Sequence, residues 1–160
     1  MQMPELRRAL EEWHGPSFGW AMTCCGFDRA LAEDVLHSAY LKVLDGRARY
    51  GGRSSFKTWL FAVIRNTAAQ HRRAAWFRFW EAPLPAPRPD DAAERSEQRT
   101  RVQRALANLP PRQREVLDLV FYQGFTVDAA AQVIGVSVGS ARTHYQRGKA
   151  ALLSLLGEAP

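Results

Sequence analysis

The stretch TVDAAAQVIGVSVGSARTHYQRGKAAL, residues 126–152, predicts two helices joined by a tight turn. Thr126 is a typical N-cap, and Gly135 ends the first helix after residue 134 because glycine readily takes a positive φ. Ser137 can cap a second helix, which we expect to reach about residue 156. Small and branched apolar residues line the first helix, so a neighbour can pack closely against it. The pattern is that of a helix-turn-helix.

The second helix of this pair has a polar face that suits DNA. Arginine fits the O6 and N7 acceptors of guanine, and glutamine can read adenine. Hydroxyl, imidazole and ammonium groups suit backbone phosphates. An ordinary helical hairpin with a solvated face would look similar, so this stretch alone favours DNA binding only moderately. The candidate side chains are Ser140, Arg142, Thr143, His144, Gln146, Arg147 and Lys149.

Composition narrows the class of protein. The 160 residues have a net charge of +6, which favours a polyanionic partner. Hydrophobic residues make up 46%, enough for a folded core. The adjacent Cys24 and Cys25 predict idle thiols in a reducing compartment, because no second pair exists to complete a zinc site. With no signal peptide and no apolar run long enough for a membrane span, we expect a cytoplasmic protein.

The sequence of the first half of the chain predicts helices. Residues 1–26 predict one or two short helices broken at Gly15-Pro16, and Asp28 can cap the next element. Residues 31–44 show an amphipathic pattern. After a basic, glycine-rich loop, Ser54 or Ser55 can cap a long helix whose first half has a wide apolar stripe.

The second half of that long helix becomes basic and aromatic. Cations interleaved with aromatic rings suit single-stranded nucleic acid, whose bases stack and whose phosphates need neutralising. For the dense run at residues 76–80, a core role and a nucleic-acid role stay open. The cations and the aromatics of this half are Arg65, His71, Arg72, Arg73, Trp76, Phe77, Arg78, Phe79 and Trp80.

A proline-rich linker divides the chain. The segment EAPLPAPRPDD, residues 81–91, holds four prolines, which deny backbone donors to helix and sheet. Residues 1–80 carry 12 Lys/Arg against 7 Asp/Glu, or +5, and residues 101–160 carry 7 against 4, or +3. We predict an all-α fold of two small domains, 1–80 and 100–160, joined by a linker over 81–99 that turns helical from about residue 91. In the second domain, Pro110-Pro111 separates one helix from the next, which covers about 113–123.

Two stretches, taken together, resemble one family. Residues 105–152, from ALANLPPRQREVL to the helix-turn-helix, are similar to the region 4 domain of bacterial sigma factors. The stretches AEDVLHSAYLKVL, residues 32–44, and SSFKTWLFAVIRNTAAQHRR, residues 54–73, are similar to their region 2 domain. Both occur in the family's order with only a linker between them. This layout resembles the extracytoplasmic-function group of the sigma-70 family.

The resemblance implies partners and roles. It implies binding to core RNA polymerase, at the clamp helices of the largest subunit and the flap of the second-largest, and to promoter DNA, under control of an anti-sigma factor. The helix over 31–44 would face the clamp through Asp34, His37, Ser38 and Lys42. The family usually has Gln-Glu at His37-Ser38, so the detailed contacts differ.

Promoter contacts follow from the same resemblance. Asn66 aligns at the edge of the pocket for a flipped −10 base, with Arg65, His71, Arg72 and Arg73 on the separated strand. The −35 duplex would meet Ser140, Arg142, Thr143, Gln146, Arg147 and Lys149, with Arg112 and Arg114 as further backbone contacts. Gly148 departs from the family's alanine. In an exposed helix interior it should cost roughly 1 kcal/mol. Two explanations stay open: the glycine permits close approach of DNA, or the cost is simply tolerated.

Two other classes of protein compete with this interpretation. The C-terminal stretch also resembles the output domain of response-regulator-type activators, but residues 1–80 lack the alternating strands and paired acids of a receiver. An enzyme is disfavoured because no phosphate loop, metal-ligand cluster or nucleophile with a base is evident, and His14, His37, His71 and His144 are scattered. We expect no catalysis, no cofactor and no metal.

Overall fold

The computed structural model describes residues 1–81 and 97–157, with side chains described for 1–74 and 101–157. Within those ranges the chain forms eight α-helices and no strand, which confirms the all-α prediction. They are α1 (Met3–Glu12), α2 (His14–Cys24), α3 (Arg29–Leu44), α4 (Phe56–Glu81), α5 (Glu97–Ala107), α6 (Pro111–Leu117), α7 (Val127–Ile134) and α8 (Val138–Gly157). A π-helical turn, Asp118–Tyr122, extends α6. Most of the predicted linker, including its helical start near residue 91, and the aromatic side chains at 76–80 lie outside the described parts.

The N-terminal domain, α1 to α4, is built as the sequence indicates. The side chain of Asp28 accepts a hydrogen bond from the Leu31 amide at 3.2 Å, and that of Ser55 accepts one from the Thr58 amide at 3.1 Å. Both satisfy amides that a helix start leaves unpaired. The break between α1 and α2 falls at Trp13 rather than at Gly15-Pro16. Proline is tolerated in the first turn of α2 because the N–H that it lacks has no helical partner there.

A buried tryptophan joins α2 to α4. Trp20 is fully buried, and its Nε1–H donates to the Phe61 carbonyl at 2.9 Å. The two rings stack at a centroid distance of 5.7 Å. The indole N–H thus keeps a partner in the core, as a buried polar group requires.

The C-terminal domain, α5 to α8, departs from the prediction at one place. We predicted one helix over 113–123, but α6 ends at Leu117 and the next turn widens, with the Gln123 amide bonded to the Asp118 carbonyl at 3.1 Å. This i→i+5 bond is typical of a π-helical turn. The turn buries Asp118 and Leu119 and leaves Phe121 and Tyr122 exposed.

The two domains pack against each other over one continuous core. Helix α7 lies against α4, and the rings of Phe61 and Phe125 meet at a centroid distance of 5.3 Å. Trp20 and Ile64 of the first domain share a hydrophobic cluster with Ile134 of the second. Hydrophobic periodicity shows that a face is buried but not what covers it, so the residues that meet between the domains could not be predicted.

Candidate promoter- and polymerase-binding surfaces

The helix-turn-helix of α7 and α8 has the local geometry that its sequence predicts. Thr126 Oγ1 accepts from the Ala129 amide at 3.1 Å, and Ser137 Oγ accepts from the Ser140 amide at 3.1 Å. Gly135 ends α7 in the left-handed region with a φ of 71°. All three predicted positions are confirmed, so the turn that sets the direction of α8 follows from local sequence chemistry.

Helix α8 presents an uninterrupted polar row to solvent. Six of the seven candidate side chains on this helix are exposed, and His144 is half-buried. The opposite side of the helix faces the protein interior and carries Ala141 and Gly148, which are both buried. A row of exposed arginine, glutamine and hydroxyl groups can meet base edges and phosphates at once. The exposed residues are Ser140, Arg142, Thr143, Gln146, Arg147 and Lys149.

Gly148 faces the protein, so our expectation of an exposed helix position or a close approach to DNA was wrong. A Cβ atom at this position would lie 3.1 Å from Gln113 Cβ, 3.2 Å from Leu117 Cδ1 and 3.4 Å from the Gln113 carbonyl oxygen. The two carbon–carbon distances are shorter than ordinary van der Waals contact. The missing side chain therefore lets α8 approach α6 closely.

The residues predicted to hold the −10 strand occupy different environments on α4. Asn66 and Arg73 are exposed, whereas Arg65, His71 and Arg72 are partly buried. His71 Nε2 lies 3.2 Å from Ser38 Oγ on α3. Arg65 points towards the C-terminal domain. In this packed arrangement, Asn66 and Arg73 are the members of the set most open to a nucleic-acid strand.

Two grooves lie in the N-terminal domain, and Asn66 lines neither. One, of about 320 Å³, lies between α1, the end of α3 and the loop before α4, and Tyr50 and Trp59 contribute to its wall. The other, of about 440 Å³, lies between α2 and α3. Its lining residues are His14, Phe18, Arg29, Glu33, Leu36, His37 and Tyr40.

The predicted polymerase-binding side chains of α3 do not all face solvent. Asp34 and His37 are exposed, and His37 lines the larger groove. Lys42 instead donates hydrogen bonds to Thr67 Oγ1, at 3.1 Å, and to the Gln70 side chain, both on α4. Ser38 pairs with His71 as described. The expectation of four exposed residues was therefore wrong for Ser38 and Lys42, because α4 packs along that side of α3 and engages their polar groups.

Arg114 is also not where we expected it. It is buried rather than available to a DNA backbone, whereas Arg112 is exposed. Arg114 belongs to a polar group between the domains that sequence reasoning missed. We call this group the interdomain cluster, and it comprises Lys57 and Arg65 from α4, Arg114 and Glu115 from α6, and Asp118.

The centre of the interdomain cluster is an ion pair across the domains. Arg65 Nε donates to Glu115 Oε2 at 2.9 Å, and Glu115 is fully buried. Burial raises the pKa of Asp118 to about 7, against the opposing effect of hydrogen bonding from Thr23 and Gln123. The signal in the sequence was REVLDLV, where two acids three residues apart interrupt an apolar run. Acids at such positions indicate a buried polar contact, not a solvated face.

The two cysteines lie beside this cluster and are buried and free, as predicted. Burial raises the pKa of the Cys25 thiol to about 11 and that of Cys24 well above its ordinary value. Thiols react chiefly as thiolates, so neither is an activated nucleophile. Among the side chains that the structure describes, no group of three His, Cys, Asp or Glu residues is arranged to hold a metal.

Both halves of the chain match known family models. Residues 11–78 match Sigma-70 region 2, and residues 99–152 match Sigma-70, region 4. The chain belongs to the sigma-70 family, in its extracytoplasmic-function group. It is therefore a sigma factor, which binds core RNA polymerase and directs promoter-specific initiation. The alternative of a response-regulator-type activator is set aside, because region 2 occupies the place of a receiver domain.

Individual relatives place the chain in the same group, and solved structures match its fold. It is 33% identical to the RNA polymerase sigma factor CarQ of Myxococcus xanthus, over 81% of this chain and 76% of CarQ. It is 30% identical to the sigma factor SigC of Mycobacterium tuberculosis, over 84% of this chain and 75% of SigC. The fold matches the sigma factor RpoE of Bartonella quintana, solved with the anti-sigma factor NepR, with a TM-score of 0.82 at 21% identity over 98% of this chain and 99% of that one. It also matches CnrH, solved with the cytosolic domain of CnrY, with a TM-score of 0.69 at 22% identity over 99% of this chain and 92% of that one.

Within the described ranges, 1–81 and 97–157, no helix is both long and apolar enough to cross a bilayer.

Proposed function

We propose that this sigma factor divides a promoter between its domains, with α8 reading the −35 duplex and α4 holding the −10 non-template strand. The observation that carries the proposal is the exposed row on α8, where Arg142 and Gln146 lie four residues apart on one face and Arg147 follows Gln146. Arginine and glutamine at that spacing can meet successive base edges in a major groove. Thr143 would join them in the major groove, and Ser140, His144 and Lys149 would contact phosphates.

For the −10 element we propose that exposed Asn66 contacts a base pulled from the stack, and that Arg73 and Arg72 neutralise the strand. Extruding a base costs a few kcal/mol, which hydrogen bonding and stacking in a protein site offset. His71 and Arg65 become available to the strand when their present partners release them.

We propose that core polymerase docks on α3, chiefly through Asp34 and His37 and the groove of about 440 Å³ beside them. The clamp helices of the largest subunit would lie along α3, and the flap of the second-largest would meet the C-terminal domain. The chain works in the cytoplasm with polymerase, which performs the chemistry. An anti-sigma factor is a further expected partner, and the solved complexes of RpoE with NepR and CnrH with CnrY support it.

Purified chain and core polymerase test the proposal directly. We expect a complex by size-exclusion chromatography, and run-off transcripts from a cognate promoter that core polymerase alone does not make. Asp34→Ala should weaken the complex, whereas Glu11→Ala, an exposed acid on α1, should not. If the wild-type chain forms no complex with core polymerase, the proposal fails.

A further inference from the structure

One hydroxyl group in the polar row of α8 is engaged within the helix itself. Thr143 Oγ1 donates a hydrogen bond to the carbonyl oxygen of Gly139, four residues earlier, at 3.1 Å. Serine and threonine side chains in helices commonly bond in this way to the backbone of the preceding turn. A threonine hydroxyl has a single hydrogen to donate. In this conformation Thr143 therefore has no donor left for a ligand.

The use of that donor excludes most of the hydrogen bonds that Thr143 could make to DNA. Phosphate oxygens accept hydrogen bonds, and so do guanine O6 and N7 and thymine O4 in the major groove. Each of these atoms needs a donor. The hydroxyl oxygen keeps its lone pairs, but it lies against the turn that precedes Thr143. The Cγ2 methyl is the other terminal atom of the side chain, so an apolar contact is what this residue offers to a base.

Thr143 lies in the middle of the face that the proposed function assigns to the major groove. It is exposed, with Gly139 four residues before it, Gln146 three residues after it and Arg147 four residues after it. Residues at these spacings are neighbours on one side of a helix. The middle of a helix face that enters a groove comes closest to the base edges, whereas its margins lie nearer the phosphates. The position of Thr143 thus also favours contact with a base.

A gap beside Thr143 leaves space for a group of the DNA. Gly139 has no side chain, and a Cβ atom at that position would meet only Ser137 Oγ, at 4.0 Å. Because residues four apart on a helix are neighbours, the methyl group of Thr143 borders this open space. We call the space the Thr143 notch, and it is formed by Gly139 and the Thr143 methyl. Its two walls are apolar.

We propose that the Thr143 notch receives the C5 methyl group of a thymine, so that Thr143 determines specificity for an A·T pair in the −35 element. The inference rests on the proposed function of α8 in reading the −35 duplex. Among the four bases, thymine carries an apolar group on its major-groove edge, and a threonine methyl suits that group. Arg142 and Arg147, on the same helix, carry the donors that suit guanine.

Two variants separate the methyl group of Thr143 from its hydroxyl. Thr143→Val keeps a methyl in place and removes the hydroxyl, whereas Thr143→Ser keeps the hydroxyl and removes the methyl. Each variant is the matched control of the other. Valine and serine have helix propensities close to that of threonine, and the site is exposed, so both variants should fold as the wild type does. Circular dichroism and binding to core polymerase check this.

The DNA offers the matching change. Deoxyuridine pairs with adenine as thymine does and lacks only the C5 methyl group. The −35 element is taken from the sequences upstream of the transcripts that the full chain makes with core polymerase. Each thymine of either strand is then replaced, one at a time, by deoxyuridine. Fluorescence anisotropy at fixed salt gives the affinity of the complex of chain and core polymerase for each promoter fragment.

We expect one thymine at which deoxyuridine weakens binding of the wild-type complex by roughly three- to fivefold, the factor that burial of one methyl group gives. Thr143→Val should bind the natural element as the wild type does and show the same loss with deoxyuridine. Thr143→Ser should bind the natural element more weakly by that factor and lose nothing further at that thymine. At every other thymine, deoxyuridine should have the same effect in all three proteins.

Three results would overturn the inference. In the first, Thr143→Val loses affinity and Thr143→Ser keeps it, which would mean that the hydroxyl contacts the DNA. In the second, no thymine responds in the wild type, or the response is unchanged in Thr143→Ser. The third is a −35 element without an A·T pair.

The proposed function is judged by a separate comparison on the same samples. The wild-type complex should bind the promoter fragment more tightly than a fragment whose −35 element is scrambled. Equal binding would mean that α8 does not read the duplex, and both the proposed function and the inference would fail. Preference for the natural element without the expected pattern at Thr143 would overturn the inference alone.

Discussion

Substituting Gly148 by alanine tests the contact between α8 and α6 most sharply. Intrinsic helix propensity alone predicts that Gly148→Ala stabilises the chain, by about 1 kcal/mol in a helix interior. The structure predicts the opposite sign, because the new Cβ would lie 3.1 Å from Gln113 Cβ and 3.4 Å from the Gln113 carbonyl oxygen. Both atoms belong to the rigid part of α6, so they cannot rotate away as the end of a long side chain could.

The magnitude follows from two opposing effects. Overpacking a close contact between helices typically costs about 1–3 kcal/mol. Setting this against the gain in propensity leaves a net loss of about 1 kcal/mol for Gly148→Ala. Gly139 is the matched control, because it lies in the first turn of the same helix and its Cβ would meet only Ser137 Oγ, at 4.0 Å. With room for the methyl group, Gly139→Ala should stabilise by roughly 0.5 kcal/mol.

Urea unfolding followed by circular dichroism measures both changes. The difference between the variants, about 1.5 kcal/mol, is well above the error of the midpoint comparison. The reasoning is refuted if Gly148→Ala stabilises the chain as much as Gly139→Ala does. That result would mean that α6 does not lie against Gly148.

Three further predictions concern the buried acid, the recognition helix and its cap. Burial raises the pKa of Asp118 to about 7, so the folded chain holds that proton more tightly than the unfolded chain, and stability falls as pH rises towards 7 and then levels off. Between pH 5.5 and 7.5, the free energy of unfolding of the wild-type chain should fall by about 2 kcal/mol more than that of Asp118→Asn. Urea unfolding measures both, and equal pH profiles would exclude Asp118 as the group that binds the proton in the folded chain. Arg142→Ala and Arg147→Ala should each weaken binding to a cognate −35 duplex by roughly 1–3 kcal/mol with core binding unchanged, whereas equal loss on unrelated duplexes would make them phosphate contacts. Ser137→Ala should lower the free energy of unfolding by about 1 kcal/mol through loss of the cap on α8, and an unchanged urea midpoint would contradict the capping bond.

Local chemistry made most of the helices predictable. Asp28, Ser55, Thr126 and Ser137 are side chains that satisfy free amides, and each one caps the helix that follows it. Gly135 ends α7 because its φ of 71° suits glycine. Such signals act over three or four residues, so they can be read from the sequence without knowledge of the rest of the fold.

Contacts between distant segments could not be predicted in this way. The burial of Gly148 depends on α6, which lies more than thirty residues earlier in the chain. The side chain of Lys42 is engaged because it donates hydrogen bonds to Thr67 and Gln70 of α4. Glu115 gave a signal as an acid in an apolar run, but its partner Arg65 is fifty residues away. A pattern along the chain shows which groups need partners, whereas only the packing of helices shows which partners they find.

Mapping transcript starts on genomic DNA tests the central claim, that this chain sets where a polymerase begins. Core polymerase and purified chain are incubated with genomic DNA and nucleotides, and the 5′ ends of the transcripts are sequenced. We predict that the transcription start sites obtained with the wild-type chain share two upstream elements, at about −35 and −10. With the double variant Arg142→Ala/Arg147→Ala, the shared −35 element should be lost and the −10 element kept. The claim would be contradicted if the transcription start sites were as scattered as those of core polymerase alone.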